Sequence, residues 1–294
     1  MTQEKPKLFI GTIIFGALTR PYLSFFLESL KNQTYQNFKL LIHDNTEDNL
    51  GFSKAYNTLI HQALTSGADY FFVINPDVVL ESNALEKLIK ALEHDDRLAS
   101  VMPKLRRWDF ANKTFTKIID SCGLGLVPCL NFFDYGQGEE DKEQYDQGQI
   151  IGSSGAAALF RLKDLVHVAE NGQFFDEHFF MYKEDCDLAY RLALAGFKSK
   201  LVPEAIGYHD RTSAAGSFII RFFNRFKRSH QVNRWAFVNQ HFLFIKYWHR
   251  QTIGEKFLAL IRMKIMFLEA LIFEQYLLPC YKTIWHGVKS LKRY

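Results

Sequence analysis

The stretch YFFVINPDVVLESNALEKLIKAL, residues 70–92, decides the fold class. Tyr70–Ile74 is an unbroken run of aromatic and β-branched side chains, the pattern of a strand buried on both faces. Asn75-Pro76-Asp77 ends the run, because proline lacks a backbone donor and Asn and Asp favour turns. From Asn83 to Leu92 the apolar residues change to helical spacing. Strand, turn and helix follow one another within about two dozen residues, as in a βαβ unit.

The same alternation extends both ways. Upstream, Lys7–Phe15 reads as a buried strand, Tyr22–Leu30 as a helix, Phe38–His43 as a strand ending in Asp44-Asn45-Thr46, and Phe52–Ala63 as a helix. Downstream, Ala99–Met102 reads as a strand stopped by Pro103, and Ala156–Phe160 as another strand. Asp185–Ala195 is a helix closed by Gly196, and Lys198–Val202 a strand stopped by Pro203. The expected class is therefore α/β, a mostly parallel sheet covered by helices on both faces. Residues 136–149, GQGEEDKEQYDQGQ, are polar and glycine-punctuated, a long loop of the kind that is functional or disordered. No internal repeat interrupts the pattern.

Composition narrows the function. With 48% hydrophobic, 23% charged and 15% aromatic residues, the 294-residue chain has ample material for a large core and is not a disordered protein. Its four cysteines form no C-x-x-C pair, which fits a reducing compartment and argues against a zinc ribbon. The N-terminal apolar run ends within ten residues, so no cleaved leader is expected, and no charge-free run of 18 residues spans a bilayer. Gly11 and Gly16 do not make a dinucleotide-binding fingerprint. No Walker lysine and no G-x-S-x-G elbow occur either. The net charge of +4 divides unevenly: residues 211–294 hold 15 Lys/Arg and three acids, a net +12, and residues 1–210 a net −8. An acidic body with a basic tail points to nucleic acid or an anionic membrane surface.

Ligands of open α/β sheets bind at the carboxyl ends of the strands. Three polar signals stand there: Asp44 after the second strand, Asn75-Pro76-Asp77 after the third and His209 after the last, and a further acidic cluster opens a helix. Asn75-Pro76-Asp77 is either a turn that helps hold a divalent cation or an Asx-Pro turn without a ligand. Glu184, Asp185 and Asp187 open a helix, either to complement its dipole or to supply a general base, Asp185 or Glu184, whose ionised form a helix N-terminus favours. His209, in GYHDR, is either a structural residue or a metal ligand.

Together these segments resemble the family 2 glycosyltransferases of the GT-A fold, in the bacterial rhamnosyltransferase-like branch. The matching segments are HDNTED, GFSKAYN, FFVINPDVVLESNALEKLIKAL, VMPKL, IDSCGL, GSSGAAALFR, FFDEHFFMYKEDCDLAYRLALAGFK and LVPEAIGYH, over residues 7–211. The resemblance implies a GT-A-type, Rossmann-like mixed sheet and an inverting, metal-dependent transfer from a nucleoside-diphosphate sugar. It implies that Asp44, with Asn45 beside it, reads the donor nucleotide, and that Asn75 and Asp77 form the diphosphate turn. Asp77 and His209 would hold Mg²⁺ or Mn²⁺, Asp185 would be the catalytic base, and Gly155 and Glu184 would line the acceptor side. Two segments depart from the family pattern: Ile14-Phe15-Gly16 replaces Thr-Tyr-Asn, and Ala55-Tyr56-Asn57 replaces Ala-Asn-Asn or Ala-Arg-Asn. The chemistry suits the residue types: a cation neutralises the leaving diphosphate, the anomeric carbon becomes oxocarbenium-like, and one carboxylate deprotonates the incoming hydroxyl from the opposite face.

The tail begins after the small-residue stretch Arg211–Ser217, giving an expected catalytic domain 1–211 and a basic, aromatic helical region 212–294. Phe218–Arg228 alternates an aromatic face with Arg221, Arg225 and Arg228, as in a helix lying in a membrane interface or packed with a solvated basic edge. Phe257–Leu278 is the most apolar stretch, but Arg262, Lys264, Glu269 and Glu274 would each cost about 2.5–3.5 kcal/mol at mid-bilayer, so it should not span. No nucleic-acid reader motif accompanies the +12. The expectation is a peripheral protein of the cytoplasmic membrane face, attached through 218–280, with a glycan or polyprenyl-linked acceptor. dTDP-rhamnose is the first donor expected, a UDP-hexose or UDP-galactofuranose the next. A nucleotidyltransferase would need a basic glycine-rich loop after strand one, which Gly11–Arg20 does not supply. A non-catalytic membrane-bound scaffold would have lost the N-P-D acid or the E-D pair, and both are present.

Overall fold

Five strands run in one sense: β1 (Leu8–Ile14), β2 (Phe38–Asp44), β3 (Tyr70–Ile74), β5 (Leu98–Asp109) and β10 (Lys198–His209). β4 (Val78–Leu80), β6 (Thr114–Ser121) and β9 (Ala157–Arg161) oppose them. In this computed structural model, which describes residues 7–211 and 228–291, they form one eight-stranded mixed sheet of order β2-β1-β3-β9-β5-β10-β4, with β6 beside β5. A separate hairpin pairs β7 (Leu124–Val127) with β8 (Asn131–Asp134).

Both faces of the sheet are covered at its centre, which is why β1, β3 and β9 are buried at consecutive positions. Alternate side chains of one strand enter different cores. Leu8, Ile10, Phe72 and Ile74 join α2 (Leu23–Lys31) and α4 (Ala84–His94). Phe9, Phe71 and Val73 join α3 (Gly51–Thr65), α5 (Leu162–Val168) and α6 (Glu184–Leu194) on the other face. A short helical turn, α1 (Gly16–Thr19), follows β1.

Two expected strand ends are corrected. β5 runs through Pro103 and β10 through Pro203. Pro103 pairs with Val202, and the register then jumps so that Ile206 faces Lys104. Both prolines thus sit at one break in the ladder, where a missing N–H costs no regular strand bond. The 136–149 loop is pinned rather than free: the buried Lys104 ammonium lies 3.1 Å from Asp141 and 2.5 Å from Asp146.

Beyond residue 228 the described chain is helical, with α7 (His230–Lys246), α8 (Ile253–Ile272) and α9 (Cys280–Gly287). These helices share a core with the hairpin and with α6: Phe237, Leu243, Tyr247, Ala259 and Leu277 cluster with Leu124, Phe132, Cys186 and Ala189. Among the described residues no helix is long and apolar enough to cross a membrane. The expected interfacial helix, Phe218–Arg228, lies outside the described residues except for Arg228.

Candidate active site

At the carboxyl ends of β1, β2, β3 and β10 lies a cleft of about 510 Å³. Asn45, Asn75, Asp77, Gly155, Glu184, Asp185 and His209 all line it, drawn from segments distant in sequence.

One side is built by strand pairing. β3 ends in the turn Asn75–Asp77, closed by the Val78 amide donating to the Asn75 carbonyl at 3.1 Å. β4 then pairs antiparallel with β10, Val78 opposite His209, which brings the Asp77 carboxylate to the imidazole. Asp77 Oδ1 stands 3.4 Å from His209 Nε2, and His209 Nδ1 is 2.8 Å from Asp120 Oδ2. Arg211 contacts Asp120 at 3.4 Å and Asp134 at 3.1 Å, and Ser121 Oγ donates to Asp134 at 2.7 Å. Burial alone favours a neutral His209, but Asp77 and Asp120 outweigh it and raise the imidazole to about 10. Burial raises the Asp120 carboxyl too, yet His209, Arg211 and Arg107 together hold it below the usual carboxylate range.

A divalent cation would fit this corner by displacing the Nε2 proton of His209, since histidine ligates as the neutral imidazole. Among the described residues, Asp77 Oδ1 is buried with no hydrogen-bond partner. An octahedral ion with ligands at about 2.1 Å places neighbouring ligand atoms about 3 Å apart, close to the Asp77–His209 spacing. Asp120 on the far imidazole nitrogen is the carboxylate that commonly orients a metal-ligating histidine. The described residues contain no cluster of three or more His, Cys, Asp or Glu able to hold a metal. Two protein ligands completed by substrate phosphates and water is the usual pattern for magnesium.

The other side is the start of α6. Tyr182 and Lys183 both adopt left-handed backbone, at φ +73° and +67°. Such conformations cost non-glycine residues about 1–3 kcal/mol each and persist only where the surroundings hold them. Here α7 holds them: the buried Asn239 amide donates to the carbonyls of Met181 at 2.8 Å and Tyr182 at 2.7 Å. The turn delivers Asp185 to the cleft, where its carboxylate accepts from the Gly155 amide at 3.0 Å and the Cys186 amide at 2.8 Å. A side chain at position 155 would put a Cβ 3.3 Å from both Asp185 Cβ and Phe52 Cζ, so glycine permits this approach. Glu184 differs from its neighbour. Burial and the Asp185 charge push its carboxyl well above the usual range.

Asp44, at the end of β2, is exposed and pairs with Arg20 at 2.8 Å. The hydroxyl and amide of Thr46 hold its carboxyl below the usual range. Asn45 is buried, and its side chain is committed to the loop, donating to the Gly51 carbonyl at 3.0 Å and accepting from Leu50 at 3.3 Å. Of the two departures, Phe15 lines the cleft, whereas the amide of Asn57 ties α3 to the backbone of Phe174 and Phe175. Sequence reasoning missed Arg20, Asp120, Asp134, Arg211 and Asn239. Of these, Asp120 fell within the quoted segment IDSCGL and Arg211 within GYHDR, and neither had a role there.

Comparison with known proteins gives two overlapping family matches. Residues 138–292, more than half of the chain, match the model described as glycosyl transferase family group 2, and residues 43–168 match glycosyl transferase family 2. Among individual relatives, the rhamnosyltransferase WbbL of Escherichia coli K12 is 27% identical over 228 residues, covering 65% of this chain and 81% of that protein. The N-acetylglucosaminyl-diphospho-decaprenol L-rhamnosyltransferase of Mycobacterium tuberculosis is 29% identical over 201 residues, 63% of this chain. The match spans 62% of the mycobacterial protein, less than two thirds of its length. The crystal structure of GalNAc-T7 with UDP, GalNAc and Mn2+ superposes over 71% of this chain and 44% of that one, with a TM-score of 0.53 at 10% identity, a likeness of fold.

Proposed function

This chain belongs to glycosyl transferase family 2, and on that premise we propose that it moves a sugar, with inversion, from a nucleoside-diphosphate donor to a lipid-linked or polysaccharide acceptor. The observation that carries the reading is the convergence in one cleft of the Asp77–His209–Asp120 corner and the Asp185 carboxylate. The names of the relatives favour rhamnose as the sugar, and with it a dTDP donor. The mycobacterial name also favours a polyprenyl diphosphate-linked acceptor.

In this reading Asp44 contacts the donor nucleobase and the Asn75–Asp77 turn receives the diphosphate. Mg²⁺ or Mn²⁺ held by Asp77 and His209 would neutralise charge on the departing diphosphate. Asp185 accepts the proton of the acceptor hydroxyl as its oxygen forms the new bond to the anomeric carbon. The bond to the diphosphate breaks on the opposite face, so one displacement inverts the centre. Gly155 keeps Asp185 in place, and Glu184 lines the acceptor side beside it. The Asp120–Arg211–Asp134 chain fixes His209.

The test is a panel of sugar nucleotides with Mn²⁺ or Mg²⁺, scored for nucleoside-diphosphate release. dTDP release from dTDP-rhamnose, dependent on metal and acceptor, is the expected result. Release from UDP-hexoses alone would move the donor assignment. Release from no donor with any acceptor preparation would remove the transferase reading.

A further inference from the structure

Helix α8 carries an interaction surface that nothing in the cleft explains. Its packing side is narrow: Ala259 and Ala270 are buried, and Met263 and Met266 pack against the same core. Phe257, Ile261, Ile265, Leu268 and Ile272 recur every three or four residues along the other side, all exposed, with Phe257 and Ile272 at 63%. Isolated apolar side chains are ordinary on a surface, but an apolar stripe along a 20-residue helix marks a contact. The exposed charged residues of α8 are Arg262 and Lys264, both cations, whereas Glu255, Lys256 and Glu269 are half-buried. Glu255 is further engaged in the capping box with Thr252. Trp285, on the adjoining α9, is 68% exposed, and Phe267 of α8 meets Tyr281 of α9 with ring centroids 5.8 Å apart.

We propose that the exposed face of α8 is a docking surface for an anionic lipid bilayer, with the helix lying in the plane of the interface. The apolar stripe enters the acyl boundary, and Arg262 and Lys264 meet acidic headgroups. The charge pattern favours lipid over a second copy of the chain, because a symmetric contact would bring these cations toward one another without an exposed acid on the helix to answer them. The surface also connects to the cleft. In the first turn of α8 the Glu255 carbonyl accepts from the Cys129 thiol at 3.7 Å, in the turn of the β7–β8 hairpin. Leu124, Phe132 and Asp134 of that hairpin line the cleft. Docking through α8 would therefore hold at the membrane, where a polyprenyl-linked acceptor resides, a helix that touches the hairpin of the cleft. This use rests on the acceptor reading above; the docking itself rests on α8.

Flotation of the full chain with vesicles tests the proposal. Wild type should rise with vesicles of equal parts phosphatidylcholine and phosphatidylglycerol, and much less with phosphatidylcholine alone. The triple variant I261Q/I265Q/L268Q changes exposed side chains and keeps good helix formers, so its circular dichroism should match wild type. Its partitioning should fall on the order of 100-fold, from the lost apolar insertion. R262Q/K264Q should fall roughly 30-fold on anionic vesicles and little on neutral ones. Nucleoside-diphosphate release with a water-soluble acceptor should be unchanged in both. Equal flotation of wild type and the triple variant would overturn the assignment to α8. So would a wild type that stays at the bottom but forms a light-scattering dimer abolished by the triple variant, since the face would then be a self-contact. Flotation without nucleoside-diphosphate release from any donor would leave the docking intact and remove the transferase reading instead.

Discussion

Lys246→Met isolates what the C-terminal helices contribute to the site. The Lys246 ammonium is fully buried, 2.9 Å from Glu170, 2.7 Å from Asp176 and 2.8 Å from Asp187. Burial pulls its affinity for the proton down, but Asp187 and Asp176 outweigh this and raise it above the ordinary lysine value. Methionine keeps the stem and removes the charge, leaving three carboxyl groups facing one another. Deleting one partner of a buried ion pair costs about 3–5 kcal/mol. The lower end applies, because Arg191 still bonds Asp187 at 2.9 Å, Tyr247 donates to Asp187 at 2.7 Å and His178 meets Asp176 at 2.6 Å. A loss of about 3 kcal/mol lowers the melting temperature of a domain this size by roughly 6–12 °C. Acid dependence gives a second readout. Burial raises the Asp176 carboxyl, but His178 and Lys246 hold it well below the carboxylate range. Its stabilisation is therefore complete above the unfolded value near about 4 and is lost as pH falls through the lower folded value. With Lys246 gone the depression shrinks, and stability should fall less steeply below about pH 4 than in wild type. Scanning calorimetry at several pH values measures both. A melting shift under about 1 °C together with an unchanged acid limb would refute a charged buried cluster.

Three further outcomes concern the cleft. Asp185→Asn keeps the shape of the group and removes its basicity, so kcat should drop at least about 10²-fold in steady-state assays while donor binding survives; near-normal turnover would send the role to another carboxylate. Asp77→Ala should abolish metal stimulation and weaken donor affinity together, with His209→Ala milder, in metal titrations and donor-binding calorimetry; full activity of wild type after chelation would reduce the Asn75–Asp77 segment to a turn. Asn239→Leu removes both bonds to the left-handed turn, so kcat should fall about tenfold or more with KM for the donor little changed, the mark of a positioning residue; if kcat holds, the turn keeps its shape without α7.

How much of this was legible in the sequence depends on how local each cause is. β3 and its turn were readable because a buried strand is continuously apolar and Pro76 punctuates it. Pro103 and Pro203 misled for the same reason: each carries a local stop signal, yet each sits at the shared register break between β5 and β10, visible only when the strands are paired. The β7–β8 hairpin left no readable period, since each strand is four residues long and Gly125 interrupts one of them. The partners of His209 were hidden by distance. Asp120 is 89 positions away from it, and Asp134 is 77 from Arg211, so strand order rather than spacing unites them.

The charge of the tail shows most plainly what counting residues conflates. An acidic body at −8 and a basic tail at +12 suggest cations waiting for an external anion. The fold uses some of them internally. Lys246 pairs with Glu170, Asp176 and Asp187, and Arg211 joins Asp120 and Asp134 behind the imidazole of His209. These cations cannot also meet a headgroup, since each is already desolvated against carboxylates whose own burial depends on it. The asymmetry is thus partly an internal ion-pair lattice, cation from the tail and anion from the body, which ties α7 to the start of α6 and so to Asp185. An outside partner is left with the exposed cations, and on α8 those are Arg262 and Lys264, set on the helix whose uncovered side is otherwise apolar.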